Sequence, residues 1–322
     1  MRIRTPLSGA AAMAAIVVLA ACSSSSPSAS TTASTAPAST AESMAPSTAE
    51  SMAPSATPVA TVADDQLIFP GKLVVCIDIP YPPQEFFDAQ GNPTGADPDI
   101  SAELAKRLGL ELQIENSVFD TIIAALTSGK CDLIISAQNL TKDRLGQVNM
   151  IPYFKAGQAF VVAKGNPDGI TQPTDLCGKS VAAETGTTEV DYVMGTGDYE
   201  GAGLDKTCAD QGLQAVDLQQ FQKDTDALLA LSSGQVAAYF ADSPTAGYYT
   251  VQQPDQFELS GVTVEIANEG ISVAKDRDGL ASAVVTALKS MMDDGTYLNI
   301  LSTYGLQDGA IDASEVQVVT SL

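Results

Sequence analysis

Apolar and polar positions along the chain fall into two rhythms, and the switches between them mark out the elements. Lys72–Asp78 (KLVVCID) is a short apolar run that predicts a buried strand. Ile79–Glu85 follows as a stiff loop whose prolines fix φ. Asp97 predicts a helix N-cap, followed by Pro98 at the first helical position. Ile100, Leu104 and Leu108 then recur at helical spacing until Gly109, and Leu110, Leu112 and Ile114 alternate as a strand. Asp120 is placed to cap a second helix carrying Ile122, Ile123 and Leu126, closed by Gly129. The apolar run Leu133–Ile135 suits a strand buried on both faces of a sheet. It turns polar at once through Ser136, Gln138, Asn139 and Thr141, with Thr141 able to cap a short helix containing Asp143 and Arg144. Strand, helix, strand, helix, strand is a doubly wound α/β unit.

The same rhythm repeats after Gln158–Ala163. Lys179–Ala183 predicts a strand that runs into Glu184-Thr-Gly-Thr-Thr188, a strand-to-helix turn whose free N–H groups favour an anion. Leu213–Leu218 reads as a strand, Asp224–Leu231 as a helix ended by Ser233-Gly234, and Val236–Ala241 as a buried strand. Asp242-Ser-Pro244 sits at its carboxyl end, where Asp242 reads equally as a helix cap or as a group facing a cleft. Gly270–Ala274 is a short strand, Leu280–Met292 an amphipathic helix, and Asp294-Gly-Thr-Tyr297 opens another. Open α/β sheets bind ligands just beyond the carboxyl ends of their strands, so Ser136, Asn139, Arg144 and Asp242 are candidates. Arg144 has the planar fork that suits a carboxylate. Taken alone it reads more simply as a solvated helix residue, since charged side chains are mostly exposed.

Residues 1–63 have a different character. Arg2 and Arg4 precede the apolar stretch Ala10–Ala21, which is too short to span a bilayer as a mature helix. It ends in Leu19-Ala20-Ala21-Cys22, which resembles the cleavage box of a bacterial lipoprotein. That reading makes 1–21 a signal peptide and puts lipid on the Cys22 sulfur, anchoring the chain to the outer face of the cell membrane. The alternative is an ordinary signal peptide with an incidental Cys. Residues 23–62 are mostly Ser, Thr, Ala and Pro, with two glutamates and no aromatic residue, and Ser39–Pro46 recurs letter for letter as Ser47–Pro54. Such a stretch cannot bury enough apolar surface to offset its ordering entropy, so 22–63 is read as a tether.

Composition narrows the chemistry. The 322 residues are long enough for two domains. Their formal charge is −23, a surface that repels nucleic acid. With no histidine, neither a Ser-His or Cys-His nucleophile pair nor a histidine metal site can form. No cofactor is expected.

From about Leu67 to about Gly305, the order of motifs resembles the amino-acid family of bacterial extracytoplasmic solute-binding proteins. These are the receptors of ABC importers, with the two-lobed type II periplasmic-binding fold. The matching pieces, in order, are Asp78-Ile-Pro-Tyr-Pro-Pro-Gln-Glu-Phe, Gly95-Ala-Asp-Pro-Asp99, Phe119-Asp-Thr-Ile-Ile, Cys131-Asp-Leu-Ile-Ile-Ser, Thr141-Lys-Asp-Arg144, Pro152-Tyr153, Asp175-Leu-Cys-Gly-Lys-Ser-Val, Thr185-Gly-Thr-Thr188, Asp242-Ser-Pro244 and Asp294-Gly-Thr-Tyr297. No piece is specific alone; ten in order are. The resemblance implies two doubly wound α/β lobes joined by two crossover strands, with 64–160 and 263–322 in lobe 1 and 161–262 in lobe 2. It implies no enzyme activity but capture of an amino acid, handed to an ABC transporter permease by a monomeric receptor.

Carried over residue by residue, the resemblance makes Arg144 the holder of the ligand carboxylate and Asp242 the partner of its ammonium. Gly186, Thr187 and Thr188 supply donors from lobe 2. Tyr81 and Phe119 are aromatic walls, and Ser136, Ala137 and Asn139 complete lobe 1. Asp78, Gln84 and Glu184 would surround the ligand side chain, which favours a polar or basic amino acid. Gln84, Ala96, Pro98, Asn139 and Ala237 depart from the family's usual residues, and Gln84 and Asn139 bear on the side-chain pocket. In this fold Cys76 and Cys131 lie on neighbouring strands of one lobe while Cys177 and Cys208 share the other, so those two pairs are the expected disulfides, with free buried thiols as the alternative. Two other functions share the cleft. One is a lyase using Glu184 or Asp78 as a carboxylate of raised pKa, and the other is a ligand-binding sensor subunit.

Overall fold

Two long antiparallel strands run through the centre of the structure, and each lobe is built on one end of them. The computed structural model describes residues 58–322. The signal segment, Cys22 and the tether up to residue 57 lie outside the described residues. The strands are β1 (Lys72–Ile77), β2 (Phe86–Phe87), β3 (Pro93–Thr94), β4 (Glu111–Asn116), β5 (Leu133–Ile134), β6 (Val148–Ala163), β7 (Ser180–Glu184), β8 (Asp217–Phe221), β9 (Ala238–Asp242) and β10 (Phe257–Ala274). Eight of them form one mixed sheet in the order β4-β1-β5-β10-β6-β9-β7-β8, and β2 pairs with β3 apart from it.

The long pair is β6 with β10, matched from Phe257↔Ala163 to Ala274↔Val148, with register shifts at three places. At one end β10 pairs antiparallel with β5, and β1 lies parallel between β5 and β4. At the other end β6 pairs antiparallel with β9, and β7 lies parallel between β9 and β8. The parallel strands with crossover helices are the two α/β lobes, and β6 and β10 are the crossover strands.

Side-chain alternation explains the layering. The helices are α1 (Ala96–Leu108), α2 (Ile122–Thr127), α3 (Lys142–Gln147), α4 (Thr188–Met194), α5 (Leu204–Asp210), α6 (Asp224–Ser232), α7 (Ser243–Gln252), α8 (Asp278–Asp293) and α9 (Thr296–Thr303). In β1, Leu73, Val75 and Ile77 pack with Ile100 and Leu104 of α1, Val284 of α8 and Leu301 of α9. Val74 and Cys76, on the opposite face, pack with Ile122 and Leu126 of α2 and Leu145 of α3. Lobe 2 repeats this about β7 and β9: Ala182 and Tyr239 meet α6 and α7, while Val181, Ala183 and Phe240 meet α4 and α5. A period of two with both faces apolar is what a strand covered by helices on both sides requires. Cys76 is bonded to Cys131 and Cys177 to Cys208, with Cα–Cα distances of 5.7 and 5.6 Å, each pair within one lobe.

Several local expectations change. Asp97 does not cap α1; Gly95 stands at the cap with φ +124°. Asp97 is fully buried in the first turn, where the Tyr153 hydroxyl donates to its two oxygens at 2.8 and 2.9 Å and the Ala137 N–H donates at 3.0 Å. Asp120 does not cap α2, which starts after Thr121 without a side-chain cap. Thr141 does cap α3, its hydroxyl accepting from the Arg144 N–H at 3.2 Å. Order begins earlier than the tether reading implies. The Val59 N–H donates to Arg107 O at 2.9 Å, and Ala60 and Val62 pack on the lobe 1 core.

Candidate functional site

The carboxyl ends of β1 and β5 in lobe 1 face those of β7 and β9 in lobe 2 across a cavity. The topology puts those ends together because β6 and β10 carry the two lobes on opposite halves of one ladder. Asp78, Tyr81, Phe119, Ser136, Ala137, Asn139 and Arg144 line it from lobe 1, and Glu184, Thr187, Thr188 and Asp242 from lobe 2. Gly186 contributes its backbone: its carbonyl accepts from Arg144 Nη2 at 3.1 Å. A Cβ added at Gly186 would stand 2.9 Å from Asp120 Cα, and its φ is +83°, so the turn can approach lobe 1 this closely only as glycine.

Two acids line the cavity that the sequence reading missed, Glu85 and Glu189. Both lie within or beside quoted motifs, Glu85 in the proline loop and Glu189 directly after Thr188. Their type gave no signal, because most glutamates are solvated. Gln84 is a correction. Its side chain does not line the cavity; it is 1% exposed and donates through Nε2 to Glu269 Oε2 at 2.7 Å. The proline loop turns it inward against β10, so it is not positioned to meet a ligand side chain.

The lobes are closed on one another. Tyr81 and Asp242, Asn139 and Thr188, Lys223 and Asp78, and Arg144 and Gly186 are all bonded across the cleft. The Asn139 amide donates to Thr188 Oγ1 at 2.9 Å, where Gln158 Nε2 also donates at 2.7 Å. Arg144 is 8% exposed. Its Nη1 donates to Asn139 O at 2.8 Å, and its Cζ lies 5.3 Å from the Phe119 ring centroid, within cation–π range. Each Nη nitrogen thus uses one of its two hydrogens on a backbone carbonyl and keeps the other.

Asp242 is the N-cap of α7, yet its side chain makes no cap bond. Oδ2 accepts from the Tyr81 hydroxyl, and Oδ1 is buried without a partner. Asn139 Oδ1, Glu184 Oε1 and Glu189 Oε1 are likewise buried and unpartnered. Buried acceptors without donors are costly, about 1–3 kcal/mol each. A wall rich in them suits a small molecule that brings N–H groups.

Burial dominates the titration behaviour. It raises Asp242 to about 6, against the lowering effect of the Tyr81 hydroxyl and the Arg144 charge. Burial, then the charges of Asp78 and Asp224, raise Glu184 to about 10. Burial and Asp242 push Glu189 well above the usual carboxylate range, with Arg144 opposing. The acids thus fall mainly into two groups, one around Arg144 with Asp242 and Glu189, the other around Lys223 with Asp78, Glu184 and Asp224.

Residues 73–307 match the family described as bacterial extracellular solute-binding proteins, family 3. A probable ABC transporter arginine-binding protein of Chlamydia trachomatis is 28% identical over 242 residues, 74% of this chain and 87% of the relative. Among solved structures, an ancestral arginine-binding protein bound to arginine is 34% identical, with TM-score 0.65, covering 73% of this chain and 98% of that one. An ancestral arginine-binding protein bound to glutamine matches with the same values.

Proposed function

The chain belongs to the bacterial extracellular solute-binding proteins, family 3, and on that premise we propose that it is an extracytoplasmic receptor that closes its two lobes on an amino acid and delivers it to an ABC importer. It is a binding protein, and no bond is made or broken in its cycle. In this reading Arg144 holds the ligand carboxylate with its remaining Nη hydrogens, and Asp242 Oδ1 accepts from the ammonium. Thr187 and Thr188 add donors from lobe 2. Tyr81 and Phe119 wall the ligand, and Ser136, Ala137 and Asn139 complete the lobe 1 side. Asp78 and Glu184 take the far end, so a polar or basic side chain is favoured over an acidic one. A relative named for arginine, and ancestral arginine-binding proteins bound to arginine and to glutamine, agree with that preference. Lipid on Cys22 would hold the receptor at the membrane.

The observation that carries the reading is the pairing of one fixed cation from lobe 1 with one unpartnered carboxylate oxygen from lobe 2 on the same cavity. A zwitterion needs both. Thermal unfolding of the protein with each of the twenty amino acids tests it, because a ligand bound to the folded state alone raises the melting temperature. A rise with polar or basic amino acids and none with aspartate or glutamate is expected; no rise with any would defeat the reading.

A further inference from the structure

Lys223 stands at the N-cap position of α6 in lobe 2, makes no cap bond there, and reaches across the cleft. Its ammonium donates to Asp78 Oδ1 and, at 3.4 Å, to Ile79 O, both in lobe 1. Asp78 is 4% exposed and also accepts from the Phe119 N–H at 2.9 Å. The Lys223 side chain is 31% exposed, so it enters from the rim while its partner lies inside. Beside this pair stands Glu184, whose buried Oε1 has no partner. Asp224, next in the chain, is already committed: the Tyr239 and Tyr249 hydroxyls both donate to it.

We propose that Lys223 is a specificity-determining residue of the cleft, whose ammonium occupies Asp78 and so disfavours cationic ligand side chains relative to neutral hydrogen-bonding ones. This rests on the amino-acid reading above, with Arg144 and Asp242 at the other end of the ligand. With the lobes closed, a guanidinium or ammonium arriving at Asp78 meets a like charge already there. It must share the carboxylate or displace Lys223, and displacement breaks an ion pair that spans the lobes. A carboxamide faces neither obstacle. It can donate to Glu184 Oε1 and leave the Lys223–Asp78 pair intact. Burial and its acidic neighbours keep Glu184 protonated at neutral pH, so Glu184 adds no counter-charge for a cation.

A simpler role for the same contact is a latch that helps the lobes close. A latch acts on closure, so its loss weakens every ligand alike. A specificity role changes the ratio between ligands. Calorimetric titration of wild type, Lys223→Met and Lys223→Arg with L-arginine and L-glutamine separates the two. Lys223→Met should shift the arginine-to-glutamine affinity ratio toward arginine by about tenfold or more, and Lys223→Arg, which keeps the charge, should hold the wild-type ratio. An unchanged ratio in Lys223→Met, with both ligands weakened equally or unaffected, overturns the proposal and leaves the amino-acid reading standing. Failure of wild type to bind any amino acid would defeat that reading itself, and this proposal with it.

Discussion

The Tyr81 hydroxyl of lobe 1 donates to Asp242 Oδ2 in lobe 2 at 2.9 Å and accepts from the Asp242 backbone N–H, also at 2.9 Å. One oxygen thus orients the carboxylate and fixes the strand end that carries it, and it does so only when the lobes are closed. Asp242 is left with Oδ1 free. The resemblance offers Tyr81 as an aromatic wall, and in the structure it is the hydroxyl that spans the cleft.

Tyr81→Phe keeps the wall and removes the bond. A hydrogen bond to a charged group contributes about 1.5–3 kcal/mol, so ligand affinity should fall by roughly one to two decades. Calorimetry with L-arginine and L-glutamine checks this. Affinity unchanged from wild type would show that the interlobe bond is incidental to ligand capture.

Folded-state acidity predicts opposite responses of stability and binding to pH. Burial is the main cause that raises Asp97 and Asp242 to about 6 and Asp224 to about 7, all from an ordinary value near 3.8. These groups hold a proton more tightly folded than unfolded. Their stabilising contribution is complete below pH ~4 and is lost as pH rises through 6 to 7. The ligand-free protein should therefore melt several degrees higher at pH 5 than at pH 8. Asp294, held at about 2 by Thr296 and Arg107, acts in the other direction but only below that window. Ligand affinity should instead fall as pH drops below about 6, because Asp242 must be ionised to take an ammonium. Melting curves and titrations across pH 5–8 test both signs, and a melting temperature that rises with pH would contradict the burial argument.

The start of the folded part gives a sharper truncation experiment than the tether alone. Removing residues 23–57 should leave the melting temperature unchanged. Removing 23–62 also deletes the Val59–Arg107 bond and the packing of Ala60 and Val62 on lobe 1. That longer deletion should lower stability by about 1–3 kcal/mol, read from denaturant unfolding. Equal stability of the two truncations would show that residues 58–62 contribute nothing.

How much of this was legible depended on sequence distance. Asp242 is a candidate because it directly follows an apolar run at a strand end, where open sheets bind ligands. Arg144 lies further on, in the short helix after Ile135, where local pattern alone reads it as solvated, and only the resemblance singles it out. The layered cores were legible too, since Leu73 to Ile77 form a continuous apolar run and Ile100 and Leu104 recur at helical spacing. The crossover strands were seen only as fragments, Gln158–Ala163 and Gly270–Ala274. Pro152, Gly157 and Gly261 break the apolar rhythm of strands that leave one lobe and enter the other, so no single period covers them. Asp97 looks like a cap in sequence because its partner Tyr153 lies 56 residues away. Lys223 gave no local signal at all, for its contact with Asp78 spans 145 residues. Gln84 shows the reverse error, a polar residue in a ligand-facing motif that the loop turns toward Glu269.

The most direct test of the central claim, that Arg144 grips the ligand carboxylate, is a calorimetric cycle pairing Arg144→Ala with a change in the ligand. Wild type should bind L-arginine or L-glutamine at least about thirtyfold more tightly than the corresponding α-carboxamide, since a buried charged contact contributes about 2–5 kcal/mol. In folded Arg144→Ala the amino acid should lose that margin and bind no better than its carboxamide. An Arg144→Ala protein that keeps near-native affinity, or still rejects the carboxamide as wild type does, would contradict the account.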